Sequence, residues 1–329
     1  MSKRIPAITQ KQVANMLPKR PRDSHKGMFG TVAVIGGASG MVGAPLLAAR
    51  AALKLGAGCV HVGLLAENAP GVDLLQPELM LHRAADLLGS HTSPLPNTLP
   101  VDNPSPQSSP ASGRGGERER LFSIPAGGGA NVGNMFNPDV LAIGCGLGRD
   151  MAAQKLLYDT LNSVAALVLD ADALNILAQR PDLRTLLLTR KSATVLTPHP
   201  GEAARLLACE IGEVQSDRVA AVRQLAQKFA CSVVLKGADS LCATRGGKLF
   251  VNKTGNPGMS AAGMGDVLTG MIAAFIAQGL SADDALLLAV HLHGAAGDAL
   301  TEQQAAIGMT ATEVTEWARW LLNQWASKS

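Results

Sequence analysis

What most constrains this chain is a unit that it repeats. A short apolar run ends in glycine or polar residues, and a helical pattern follows. TVAVIGG (31–37) leads into APLLAARAALKLGAG, and VLAIGCGLGRD (140–150) leads into a helix that runs to about residue 163. ALVLDADALNIL (166–177) and SATVLTPHPGEAARLL (192–207) each hold a strand and the start of a helix. CVHVGLL (59–65) and SVVLKGADSL (232–241) add further strands, the second ending at Lys236. Strands separated by helices pair in parallel through crossovers. Strands that are apolar at nearly every position are covered on both faces. The expected fold class is therefore α/β, a three-layer α/β/α sandwich with a mostly parallel central sheet. The last third reads as two or three helices, including 282–300 and an amphipathic run near 310–325, and residues 1–25 as a polar segment with a short helix packed outside.

Composition narrows the functional classes. At 329 residues the chain has room for one large α/β domain or two small ones, and 47% apolar residues supply an ample core. Aromatics are only 3% and the net charge is +3, with no basic stripe, which argues against nucleic acid as a partner. The cysteines at 59, 145, 209, 231 and 242 show no zinc spacing and are expected to be buried, reduced thiols. MSKRIPAITQKQ lacks the apolar core of a signal peptide, and no apolar run is long enough to span a bilayer, so a cytoplasmic setting is expected. Residues 89 to about 137 are rich in Pro, Ser, Gly and charge, and are expected to form a disordered insertion into a single domain of residues 1–329.

Chemistry concentrates in Asn252–Asp266, NKTGNPGMSAAGMGD, which follows the strand-like GKLFVNK and opens the helical VLTGMIAAFIAQG. Its glycines leave backbone N–H groups uncovered at a helix start, where an anion is favoured. Asp266 stands at the same place. A carboxylate beside a phosphate pocket is repelled unless it takes a proton from a hydroxyl that then carries phosphoryl. The plainer reading is a glycine-rich turn with a helix-stabilising charge, and the segment alone does not decide between the two. The loop GGASGMVGA (36–44) lacks GxGxxG spacing and is read as a glycine-rich turn. Open α/β sheets bind ligands beyond the carboxyl ends of their strands. Gly43, Gly148, His199, Lys236 and Asp266 are all expected along that one edge.

KGMFGTVAVIGG, GAPLLAARAALKLGAG, QPELM, IGCGLG, LVLDADALN, LTPHPGEAARLL, VVLKGADS, NPGMSAAGMGDVLTGMIA and HLHGAAGD occur in this order. Together they resemble the ADP- or ATP-dependent NAD(P)H-hydrate dehydratase family of the ribokinase-like superfamily, over about residues 26–86 and 138–300. The resemblance implies repair of NADHX and NADPHX, in which the hydrate hydroxyl is phosphorylated by a nucleotide, phosphate is eliminated and AMP is released. It implies ADP rather than ATP as co-substrate, Mg2+ as cofactor, and a homotetramer. By the same resemblance Asp266 is the base and touches the substrate, together with Ala44, Gly146, Gly148 and His199. Gly263 and Gly265 form the anion hole, and Lys236, Gly237, Ala238, Asp239 and Ser240 hold the AMP portion. Glu202 takes a place in the second shell of the magnesium. This chain departs from the family's GTGD or GSGD by Met264, which removes a hydroxyl that can touch phosphate.

Other readings stay open at this stage. One is an ATP-dependent kinase for a vitamin precursor or sugar, and another is a nucleotide-binding sensor without turnover. His199 is a cap or a substrate contact, and Glu202 a first-turn charge or a magnesium residue. Asp170 and Asp172 cap the following helix, or Asp170 helps arrange water and cation near the phosphates. Lys236 is a solvated strand-end charge or a nucleotide contact. His291 and His293 are packing or surface residues. Asn252 and Asn256 fix their loop by side-chain hydrogen bonds.

Overall fold

The computed structural model describes residues 5–88, 137–304 and 306–327. The disorder expected of 89–137 falls, but for its last residue, outside the described residues. Among the described residues there are nine strands: β1 Thr31–Gly36, β2 Cys59–Leu64, β3 Met80–Arg83, β4 Val140–Ile143, β5 Ala166–Leu169, β6 Thr194–Leu196, β7 Ser232–Leu235, β8 Leu241–Ala243 and β9 Leu249–Val251. They form one sheet in the order β3-β2-β1-β4-β5-β6-β7-β8-β9. Every pairing from β3 through β7 is parallel, while β7–β8 and β8–β9 are antiparallel.

The helices are α1 Gln10–Ala14, α2 Gly43–Lys54, α3 Ala84–Leu87, α4 Met151–Leu161, α5 Ala171–Gln179, α6 Pro181–Thr189, α7 Pro200–Leu207, α8 Ile211–Ser216, α9 Arg218–Phe229, α10 Met264–Ala277, α11 Ala282–Gln303 and α12 Ala311–Ala326. Helices α2, α10, α11 and α12 pack with Val32 and Val34 on one face of the sheet. Helices α4 to α9 pack with Ala33 and Ile35 on the other. All four of those β1 side chains are fully buried, which is why the run reads as uniformly apolar.

Two strands are additions to the expected set. β3 is four residues, largely exposed, and β8 is three, too short and, in β3, too polar to give a strand signal. The amino-terminal segment does more than lie outside. Ile8 and Val13 are buried, and Ile8 N–H donates to Val251 O at 2.9 Å while Val251 N–H donates to Pro6 O at 3.0 Å. This covers the open edge of β9. Cys145, Cys231 and Cys242 are buried as expected, but Cys59 and Cys209 are only partly so, since Cys59 opens β2 and Cys209 follows the end of α7. Among the described residues no helix is long and apolar enough to cross a membrane.

The crossover after β1 goes to β2 on one side, and that after β4 goes to β5 on the other. The β1/β4 pair is thus the switch point of the sheet, where open α/β sheets bind ligands in the crevice beyond the carboxyl ends of the strands; the loops after β1 and β4 touch there, Gly37 N–H donating to Cys145 O at 3.3 Å.

Candidate active site

Helix α10 begins at an N-cap with no side chain to offer, Gly263, whose φ is +87°. The left-handed backbone favours glycine, and a Cβ there, 2.6 Å from Leu47 Cδ1, would have to displace that side chain of α2. The N–H groups of the first turn lack intrahelical partners, and the helix dipole adds positive potential. Gly265 leaves this turn bare. A Cβ on it would stand 3.3 Å from Lys236 Nζ and 3.5 Å from an Asp170 oxygen. Met264 has gone into the apolar core, so its side chain takes the place of no backbone donor.

Lys236 follows directly on β7 and is an ion-paired charge. Its Nζ lies 2.7 Å from Asp170 Oδ1 and 4.0 Å from Glu202 Oε2. Burial opposes the ammonium, but these carboxylates outweigh it and raise the lysine pKa. Asp170 is buried at the end of β5, and burial alone would favour its neutral form; Lys236 overrides this and keeps its pKa low. Its second oxygen accepts from Thr269 Oγ1 of α10 at 2.9 Å. Both oxygens are thus engaged, and the side chain makes no helix cap.

Asp266 faces this pair. One oxygen each of Asp170 and Asp266 and the Cys145 Sγ lie within 4.8 Å of one another. Burial, helped by the Asp170 charge, pushes the Asp266 carboxyl up to about 6, while the Cys145 thiol and Lys236 pull the other way. The positive charge in this pit is the lysine's.

His199 and Glu202 form a capping box on α7. His199 Nδ1 accepts from the N–H groups of Gly201 (3.0 Å) and Glu202 (3.4 Å), and Glu202 Oε2 accepts from His199 N–H at 2.9 Å. This makes the ring a neutral Nε2–H tautomer, with Nε2 3.3 Å from Glu202 Oε1. Burial and the nearby Lys236 hold its pKa down. The ring remains half exposed, so it caps and still presents a face outward. Burial raises the Glu202 carboxyl.

The KGADS turn is tied from behind. Arg218 of α9 donates to the carbonyls of Ala238, Leu235 and Lys236, and Ser240 Oγ donates to Gly237 O at 2.8 Å. The turn shares a cavity of about 490 Å3 with the 252–257 loop, Gly265 and His293. That loop is pinned to α11. Asn252 donates to Val290 O at 3.3 Å, while Asn256 and Gly255 N–H donate to Asp298 at 3.1 and 2.8 Å. His291 is packed against Trp325. His293, expected only to pack or lie outside, lines the cavity, and its Nε2 is buried without a partner among the described residues.

The remaining positions lie on the loops that follow β1 and β4 and on the first turn of α2, at the crevice beyond the carboxyl ends of these strands. Ala38 N–H donates to Gly146 O at 2.8 Å, and a Cβ on Gly146 would lie 3.3 Å from Ala44 Cβ. Gly148 N–H donates to Asp172 at 3.0 Å, and Arg149 pairs with the same carboxylate. Asp172, read as a helix cap, instead secures this glycine loop. Cys145, between Gly144 and Gly146, links the crevice to Asp266. Sequence reasoning missed Cys145, Arg218, Thr269 and Asp298. Cys145, Thr269 and Asp298 lie inside the motifs IGCGLG, NPGMSAAGMGDVLTGMIA and HLHGAAGD, whereas Arg218 lies in none.

The chain matches the family described as NAD(P)H-hydrate dehydratase over residues 32–97 and 131–319. It is 37% identical over 327 residues to the ADP-dependent (S)-NAD(P)H-hydrate dehydratase of Neisseria meningitidis serogroup B, covering 98% of this chain and 95% of that one. It is also 37% identical to the bifunctional NAD(P)H-hydrate repair enzyme of Coxiella burnetii, covering 95% of this chain but 54% of the relative, so it spans about half of that longer protein. Among solved structures, the Bacillus subtilis ADP/ATP-dependent NAD(P)H-hydrate dehydratase co-crystallised with ATP/Mg2+ superposes with a TM-score of 0.77 at 27% identity, covering 98% of this chain and 100% of that one.

Proposed function

The chain belongs to the NAD(P)H-hydrate dehydratase family, and from that premise we propose that it restores NADH and NADPH from their hydrates, with ADP as phosphoryl donor. The observation that carries the reading is the place of Asp266 on the bare first turn of α10, facing Asp170 and its partner Lys236; burial pushes its carboxyl up to about 6. Such a group is ionised at neutral pH yet basic enough to accept a proton.

In the proposed reaction the hydrate's hydroxyl gives its proton to Asp266 as its oxygen attacks the terminal phosphoryl of ADP. The P–O bond to AMP breaks, and AMP leaves. The N–H groups around Gly263 and Gly265, with the Lys236 ammonium, stabilise the charge on the phosphoryl oxygens in transit. Phosphate then departs with the C–O bonding pair, a ring proton is lost, and the double bond returns. Hydroxide would be a far poorer leaving group. Ala44, Gly146, Gly148 and His199 are assigned to the hydrate, and Lys236 to Ser240 to the AMP portion.

Mg2+ belongs to the proposal as a companion of the nucleotide phosphates. Glu202 is a single buried carboxylate already used as a cap, which suits contact through water and does not suit a protein cage. When bound, the ion supplies charge neutralisation on the phosphates. We take residues 1–329 as one unit of this activity, working as a homotetramer in the cytoplasm; light scattering tests the assembly.

The deciding assay incubates the protein with NADHX, Mg2+ and either ADP or ATP, and follows absorbance of the reduced nicotinamide. A rise that Asp266→Asn abolishes is expected, faster with ADP. No rise with either nucleotide overturns the proposal. A stable phosphorylated vitamin precursor or sugar formed from ATP would point to the small-molecule kinase.

A further inference from the structure

The reaction proposed above asks nothing of a thiol, yet one stands beside its base. Cys145 follows Gly144 at the end of β4, is fully buried, and has its Sγ within 4.8 Å of oxygens of both Asp170 and Asp266. Asp170 already accepts from Lys236 and from Thr269. Asp266 accepts from no other side chain among the described residues. Burial and the two carboxylates raise the Cys145 thiol well above its ordinary value, so it keeps its proton. A neutral donor therefore stands within 4.8 Å of an Asp266 oxygen.

We propose that Cys145 is a positioning residue: its S–H donates to the Asp266 carboxylate, fixes the rotamer of that carboxylate, and favours its ionised form. The backbone builds the contact. Gly37 N–H donates to Cys145 O at 3.3 Å, and a Cβ on Gly36 would lie only 2.0 Å from that oxygen. The cysteine is thus clamped between the loops after β1 and β4. The groups facing Asp266 are Cys145 from β4, Asp170 from β5 and Lys236 from β7, with Glu202 and His199 of α7 and His293 of α11 grouped around Lys236. Among them only the thiol is an uncharged donor that acts on Asp266 itself. Hydrogen bonding to the charged form lowers a carboxyl pKa, so removing the donor raises it.

The inference rests on Asp266 being the base, but its test does not need turnover. In the full chain, the Asp266 carboxyl is titrated by carbon NMR with labelled aspartate, assigned by the signal lost in Asp266→Asn. Cys145→Ala is expected to raise the midpoint by on the order of half a pH unit or more. Cys145→Ser, a stronger donor, is expected to leave it at or below the wild-type value. In the assay the acid limb of kcat/KM should move with the titration, so that Cys145→Ala loses about twofold or more at pH 6 and little at pH 8. An unmoved midpoint in Cys145→Ala, or equal shifts in Ala and Ser, overturns the proposal. So does a loss of activity uniform across pH with an unchanged titration. If Cys145→Ala does not fold, an upward shift in Cys145→Ser overturns it alone. A titration that moves as expected in a protein with no dehydratase turnover upholds the contact and counts against the reaction.

Discussion

Asp266 illustrates a conflict between stability and chemistry. Its pKa in the fold, about 6, is above the ordinary aspartate value of 3.8. A raised carboxyl stabilises the native state fully below its unfolded pKa, and that contribution is lost as pH rises through the folded pKa. At about 1.4 kcal/mol per pH unit, keeping Asp266 ionised at neutral pH costs the fold on the order of 2 to 3 kcal/mol. Asp266→Asn should therefore melt higher than wild type at pH 8, with the gain shrinking toward pH 5, while turnover is lost. Thermal unfolding at the two pH values checks this, and an Asn variant less stable at pH 8 contradicts it. The residue was legible in the chain because an acid after three nearby glycines at a helix start is chemically conspicuous. Cys145 was not. An isolated thiol in an apolar run reads as packing, and only the approach of β4 to α10 sets it beside a base.

At the scale of elements, α10 is the part on which the site stands. Its apolar pattern marked it as a helix, and Gly263 marked its start. How closely it lies on α2 was hidden. A Cβ at Gly270 would fall 1.9 Å from Ala48 O, so the two helices meet backbone to side. Gly270→Ala has to push α10 away and tilt its first turn off Lys236 and Asp170. Overpacking of this kind costs about 1–3 kcal/mol or more. Its melting temperature should fall, and kcat should fall further than stability alone explains, because phosphoryl transfer depends on position. A variant with wild-type kcat would show that the helix has room the geometry denies. Expected and observed strands agree for β1, β2 and β4 to β7, whose apolar runs are buried on both faces. β3 and β8 escaped because an edge strand and a short return strand carry little of that signal.

For the molecule as a whole, the KGADS turn, the 252–257 loop and α11 meet in one cavity. A ligand that binds only the folded state stabilises it by mass action, about 2.7 kcal/mol at a hundredfold excess over Kd. ADP with Mg2+ should raise the melting temperature by roughly 5 °C at that excess for a chain of this length. Arg218→Met, which unties the turn from α9, should shrink the shift. Absence of any shift with ADP and with ATP would remove the nucleotide from the account.

Sequence alone determined the layers and the edge where chemistry gathers, because burial on two faces and helix starts leave periodic, local marks. It also named Asp266, Lys236 and His199, whose residue types are costly to place without a task. Tertiary structure decided the rest: which strand lies beside which, that Lys236 pairs with Asp170, and that a thiol faces Asp266. Those are contacts between segments far apart in the chain, for example the 66 positions from Asp170 to Lys236. No local pattern records a distance that only the crossing of helices over the sheet creates.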